Sequence, residues 1–183
     1  SKAMLCGISC PARVHVSKDS TELTARLEAK NRAIDETLAC LWEREGVVDG
    51  SYVLDGMLTA AGDVDELLPS LHGTVKFEAR EGRIFPIGFI AKIFSVLNIT
   101  EIYRGQFPDL IQRGCAYDSI SAMGTIKNGV ITLDNSIVNA QCMKMVWRGT
   151  IDLTTRQADL IVVVAPLRTV DKIIGKVPIL GHM

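Results

Sequence analysis

The chain has 183 residues and a net charge of −1, with 20 Lys and Arg against 21 Asp and Glu. That balance gives no sign of the basic face nucleic-acid binding needs, and 48% hydrophobic residues against 22% charged exclude a disordered chain. Aromatics are only 5% while Val, Ile and Thr make up a quarter of the residues, a composition suited to pleated, aliphatic surfaces.

No charged start followed by an apolar run opens the chain, so no signal peptide is read there. Residues 5–30 alternate loosely through Ile8, Ala12, Val14 and Val16, then Leu23, Ala25, Leu27 and Ala29. The polar run Ser17–Ser20 between them predicts a two-stranded hairpin. Ile34, Leu38, Leu41 and Trp42 form one helical stripe. Asp35 and Glu36 suit its first turn and Gly46 its end, so 34–45 is predicted helical, with Cys40 buried in it.

Residues 47–61 read as a strand, with Asp49-Gly50 as a turn or Gly50 and Gly56 as bulges. Asp63 and Glu66 match a capping box opening a short helix to Ser70. Val75, Phe77 and Ala79 alternate with Lys76, Glu78 and Arg80, predicting a strand with one wet face that ends at Glu81-Gly82. Pro86 then opens a helix over 87–98 that is apolar nearly all round, and a helical turn is expected at 107–113. At about a dozen residues, ~18 Å, the 87–98 helix is too short to cross a ~30 Å hydrocarbon layer.

Asn128-Gly129 is the strongest local signal, because a two-residue type I′ turn needs positive φ at both positions. Ile120, Ala122, Gly124 and Ile126 lead into it; Ile131, Leu133 and Ile137 follow. A further strand runs through Met143, Met145, Trp147, Gly149 and Ile151. The next, Ala158–Ala165, is apolar on both faces. A last helix is predicted over 170–177, stopped by Pro178. The tripeptides Gly73-Thr74-Val75, Gly124-Thr125-Ile126 and Gly149-Thr150-Ile151 echo one another, as a repeated hairpin unit would.

Catalytic patterns are missing. His15, His72 and His182 are scattered, and the sequence holds no HExxH, GxSxG, SxxK, Walker A or GxGxxG motif. Asp118, Asp134, Asp152 and Asp159 flank strands or turns. Of five cysteines, Cys6 and Cys10 would lie ~13 Å apart within one strand, too far for a disulfide. Without a CxxC, zinc or thioredoxin chemistry lacks support, and all five read as structural or incidental. The positive signal is aliphatic surface in excess of an obvious single core. Met143, Met145 and Trp147 share one strand face, and methionines adapt to irregular apolar partners. That pattern fits either an ordinary core under a helix or a concave sheet that holds acyl chains.

Several runs carry a resemblance. They are Ala79–Phe85 continuing through Ala91–Gly105, Phe107-Pro108-Asp109-Leu110 with Ala116-Tyr117, Val162–Asp171, Val177–Gly181 and the upstream Thr37–Trp42. Together, over about 35–181, they resemble the AsmA-like C-terminal domain of bacterial envelope proteins. The resemblance implies an α+β, mainly β fold: a curved antiparallel sheet of hairpins forming a groove, with several short helices packed against it or capping it. It implies residues 1–183 as one domain fragment, with a membrane anchor upstream and a further strand downstream. The implied function is non-enzymatic. A periplasmic module tethered to the inner membrane would carry phospholipid or another acyl-chain lipid towards the outer membrane, without cofactor, metal or nucleic acid. The alternative is a scaffold for outer-membrane biogenesis whose strand edges contact envelope proteins. Ile120, Ile126, Ile131, Leu133, Met143, Met145, Trp147 and Ile151 are the expected groove lining.

Overall fold

A computed structural model describes residues 3–18, 20–43, 46–85 and 114–166. Ten antiparallel strands form one sheet. The strands are β1 (Met4–Leu5), β2 (Ile8–Ser9), β3 (Ala12–Val16), β4 (Thr21–Ala33), β5 (Ser51–Gly62), β6 (His72–Ile84), β7 (Cys115–Lys127), β8 (Val130–Ala140), β9 (Met143–Asp152) and β10 (Gln157–Pro166). From β4 to β10 each strand pairs with the next in sequence; β2 and β3 both pair with β4 at the other border. The architecture is thus mainly β and antiparallel. Among the described residues there is one α-helix, α1 (Ile34–Trp42), and a single 3-10 turn (Val64–Glu66), fewer helices than expected. The predicted helices at 87–98 and 170–177 and the turn at 107–113 lie outside the described residues.

The long strands form where period-2 alternation was read, and the Asn128-Gly129 turn is as predicted, with φ of 52° and 74°. Other boundaries differ for local reasons. A small β1–β2 hairpin precedes the β3–β4 hairpin, so Cys6 occupies a left-handed turn position (φ 49°) and shares no strand with Cys10. Helix α1 stops at Glu43, which adopts φ 53° and donates its N–H to the Ala39 carbonyl, so Gly46 is not its cap. Cys40 is exposed, not buried.

The strand predicted from residue 47 begins at Ser51. Gly50 precedes it at φ 110°, and Gly56 sits in unbroken register, with no bulge. Asp63 makes no side-chain cap; its carbonyl instead accepts the Glu66 N–H, and the segment closes as turns, not a helix to Ser70. Strand β6 runs on through Glu81-Gly82 to Ile84, because Glu81 takes φ 55° while pairing with β7 resumes at Gly82 in unchanged register.

Burial concentrates at one end of the sheet. Ile34, Tyr52, Ala79, Ile84, Cys115 and Tyr117 cluster there with Val138, Met143 and Met145. Tyr52 stacks on Phe77 at 5.5 Å between ring centroids. Its hydroxyl lies 2.9 Å from Thr37 Oγ1, whose own proton faces the Ala33 and Cys6 carbonyls. The hydroxyl of Tyr117 donates to the Asp49 carbonyl at 2.6 Å. Gly50 and Gly82 flank that bond so closely that a Cβ at either would strike the Tyr117 oxygen.

Two disulfides pin this end. Cys6–Cys40 ties the β1–β2 turn to α1, and Cys115–Cys142 ties the start of β7 to the β8–β9 turn; Cys10 is free. They close loops with sequence separations of 34 and 27. Such a loop confers roughly 3–4 kcal/mol by restricting the unfolded chain. Replacing Cys115 and Cys142 together by Ala is expected to cost about 3 kcal/mol, read as a lower urea midpoint with a somewhat steeper slope, since the unrestrained unfolded chain exposes more surface. Dithiothreitol should lower the wild-type midpoint further than it lowers the variant's.

Candidate functional site

Cross-strand partners share a face, so the register assigns each side chain to one side of the sheet. Ile126, Ile131, Ile151 and Ala158 are successive partners across β7 to β10. Gly124, Leu133 and Gly149 form the next row, and Ile120, Val138, Met145 and Val164 another. Trp147 lies opposite Ser136, and Met143 lies two residues before Met145 on the same side of β9. All eight residues read from the sequence as groove lining therefore project from one face. Met143, Met145 and Ile126 are buried; Ile120, Ile131, Leu133, Trp147 and Ile151 are half-buried.

The same face continues well beyond those eight. Register carries it through Val75 and Phe77 of β6 and Leu54 and Leu58 of β5 to Leu27 and Ala29 of β4. Alternation in those strands was legible, and joining it to β7–β9 needed only the strand order. Among the described residues no second sheet lies over this face, and α1 packs at the end of β4. The result is one continuous aliphatic surface with few aromatic rings.

The opposite face is polar and solvated. Ion pairs dot it: Arg26 with Asp55 at 3.2 Å, Lys30 with Glu28 at 2.6 Å, and Lys76 with Glu78 at 2.8 Å. Exposed pairs of this kind contribute little stability. Thr74, Thr125, Thr132 and Thr150 form one row across β6 to β9. The three Gly-Thr tripeptides thus supply three of four threonines in a single ladder. Towards β10 this face turns apolar, where Val146 pairs with Val163 and Ile161 is exposed.

One irregularity changes what the apolar face offers. Between Leu133 and Ser136, β8 carries one residue more than β7 or β9 can match. Such a bulge inverts the alternation beyond it. Ile137, expected to continue the apolar series, turns to the polar face and Ser136 takes its place. The Ser136 hydroxyl and the Trp147 indole N–H are buried without a hydrogen-bond partner. An unpartnered buried polar group costs about 1–3 kcal/mol. Sequence reasoning named Trp147 and missed Ser136, because nothing local marks the bulge.

No group of three or more His, Cys, Asp or Glu among the described residues is placed to hold a metal. Among the described residues the large displacement is at Tyr117, whose pKa burial and then the nearby Asp49 carboxylate push up to about 12. Since the unfolded chain loses its phenolic proton first, near pH 10, the folded state binds more protons above that value. Stability is therefore expected to hold below pH 10 and to fall as the pH rises towards 12. Tyr117→Phe, measured by urea titration across that range, should lower stability by about 1 kcal/mol at neutral pH and flatten the alkaline decline.

Residues 8–183 match the family model described as YhdP protein. Over 102 residues the chain is 28% identical to the intermembrane phospholipid transporter YhdP of Escherichia coli (strain K12). That alignment takes in 53% of this chain and 8% of the relative, so the chain spans a small part of that protein's length. No solved structure matches.

Proposed function

Since the chain belongs to the YhdP protein family, we propose that it is a non-enzymatic lipid-handling module whose aliphatic sheet face takes acyl chains. The single observation that carries this reading is the face itself, which continues from β4 to β10 across local register shifts in β4, β7 and β8. The relative's description as an intermembrane phospholipid transporter supplies the ligand class. Each methylene leaving water for such a surface gains ~0.8 kcal/mol, so a few inserted methylenes suffice to hold a chain. Aliphatic walls offer non-directional contact of nearly constant strength, which lets a chain slide. The phosphate head stays near water, and a curl of the sheet into a groove would shield the tails on both sides.

Two disulfides favour an oxidising compartment, as the bacterial periplasm is. In this reading the module sits in the periplasm as part of a protein tethered to the inner membrane. It passes phospholipid towards the outer membrane without cofactor.

Neighbouring residues on β8 give the test a built-in control. Leu133→Glu places a carboxylate on the apolar face, whereas Thr132→Glu places one on the polar face. Phospholipid is expected to co-purify with the wild-type chain and with Thr132→Glu, and to be lost from Leu133→Glu, by native mass spectrometry and lipid extraction. A folded wild-type chain with no bound lipid, and none taken up from vesicles, would overturn the reading.

A second reading rests on β10. Its only partner among the described strands is β9, and it is apolar on both faces, with Leu160, Ile161 and Val163 exposed. An unpaired edge of this composition templates a further strand. In this reading the module contacts envelope proteins by strand addition. Ile161→Lys with Val163→Lys should abolish capture of a partner strand while leaving lipid content unchanged. Lipid loss together with capture would refute a separate edge role.

A further inference from the structure

We infer that Ser136 and Trp147 form a hydrogen-bonding notch in the apolar face that takes the carbonyl oxygen of an acyl group. This rests on the reading of that face as an acyl-chain surface and adds to it a specific polar contact. The two residues are register partners on β8 and β9, so both side chains rise from the same face. Neither the hydroxyl nor the indole N–H is paired, and Ser136 is 1% exposed. Around them the face is hydrocarbon: Leu133 and Val138 along β8, Met145 along β9, and Val162 opposite Trp147.

Two donors without an acceptor, set among hydrocarbon, define the missing group. It must bring an acceptor able to receive two hydrogen bonds and must be attached to something apolar. An sp² carbonyl oxygen has two lone pairs and meets both conditions at the head of an acyl chain. Serine's hydroxyl is a rotor and the indole N–H is a fixed donor only, so the indole sets the direction of approach and the serine adapts to it. Methylenes alone leave both donors unsatisfied, and an ether oxygen, flanked by carbon on both sides, is less open to two donors at once than a terminal carbonyl oxygen. The notch therefore favours acyl over alkyl lipids, whether the carbonyl belongs to a glycerol ester or to a free fatty acid. The β8 bulge makes this possible: without its extra residue, the serine would face the polar side.

The test compares three probes on the full chain: a diacyl phosphatidylethanolamine, its dialkyl ether analogue with the same tails, and palmitate. Each is offered in mixed micelles, and retention is read by native mass spectrometry. The wild-type chain should retain at least one acyl probe roughly fivefold or more above the ether, the discrimination expected of one or two net hydrogen bonds. Whichever acyl probe is retained better names the source of the carbonyl. Ser136→Ala and Trp147→Phe keep the apolar surface, and each should shrink the ratio, the double variant to near one. Ether and acyl probes retained equally, with both variants unchanged, would overturn the notch while leaving the apolar face as a lipid surface; a water satisfying the two donors would give that result. Failure of all three probes to bind would instead overturn the lipid reading itself.

Discussion

The pleat of a β-strand sends successive side chains to opposite faces, and the sheet depends on keeping that parity across seven consecutive strands. A one-residue slip anywhere would transfer a whole strand's aliphatic series to water. The register holds through β5 and β6 without interruption, and where it shifts the shift is local. The irregular positions fall in β4 near Asn31, in β7 at Asp118 and in β8 between Leu133 and Ser136; Glu81 of β6 adds a left-handed residue opposite the β7 irregularity. Beyond them the inward positions become Ile84, Cys115 and Tyr117, all buried. Bulges thus divide the apolar face into a long aliphatic expanse and a closed end carrying Tyr52, Tyr117 and both disulfides.

That division explains what could be read in advance. Alternation over Leu23–Ala29, Val75–Ala79 and Ile120–Ile126 is a local property of a half-exposed strand, so those segments were legible. Asn128-Gly129 was legible because two positive φ angles restrict the residues that tolerate them. The eight proposed lining residues proved to share a face because each lies on a strand whose parity could be followed from its nearest turn. The closed end was not legible. A helix stop at Glu43, a strand running through Glu81-Gly82 and the Tyr117–Asp49 bond all depend on partners distant in sequence. Cys115 and Cys142 meet only because β7 and β8 form a hairpin longer than its turn reveals. The failed capping box at Asp63 has the same cause: the residues between β5 and β6 close as turns, where Ser70 Oγ accepts the Ala61 N–H and the Leu71 carbonyl accepts the N–H of the distant Gly129.

A surface of this kind sets a selectivity problem. Aliphatic contact holds any hydrocarbon, so tail length and saturation are weakly discriminated, and what distinguishes one amphiphile from another must come from scattered polar atoms. The sheet keeps its charges on the opposite face, where Arg26, Asp55, Lys76 and Glu78 pair among themselves. Among the described residues, the Ser136 hydroxyl and the Trp147 indole N–H are the buried side-chain polar atoms without a partner. Under the lipid-handling proposal, a surface that binds hydrocarbon weakly throughout could still recognise its ligand at one station.

Strict neighbour-to-neighbour pairing from β4 to β10 has a consequence for how such a protein changes over generations. In a sheet with crossovers, removing one hairpin breaks contacts between strands far apart in the chain. In a meander, the strands on either side of an excised hairpin become adjacent, still antiparallel and still presenting the same face. Each hairpin gained or lost alters the breadth of the surface by about 10 Å, two strand spacings, and leaves the remaining register intact. Span becomes a quantity that simple duplication and deletion can tune, so the distance such a surface covers can follow the gap it has to bridge.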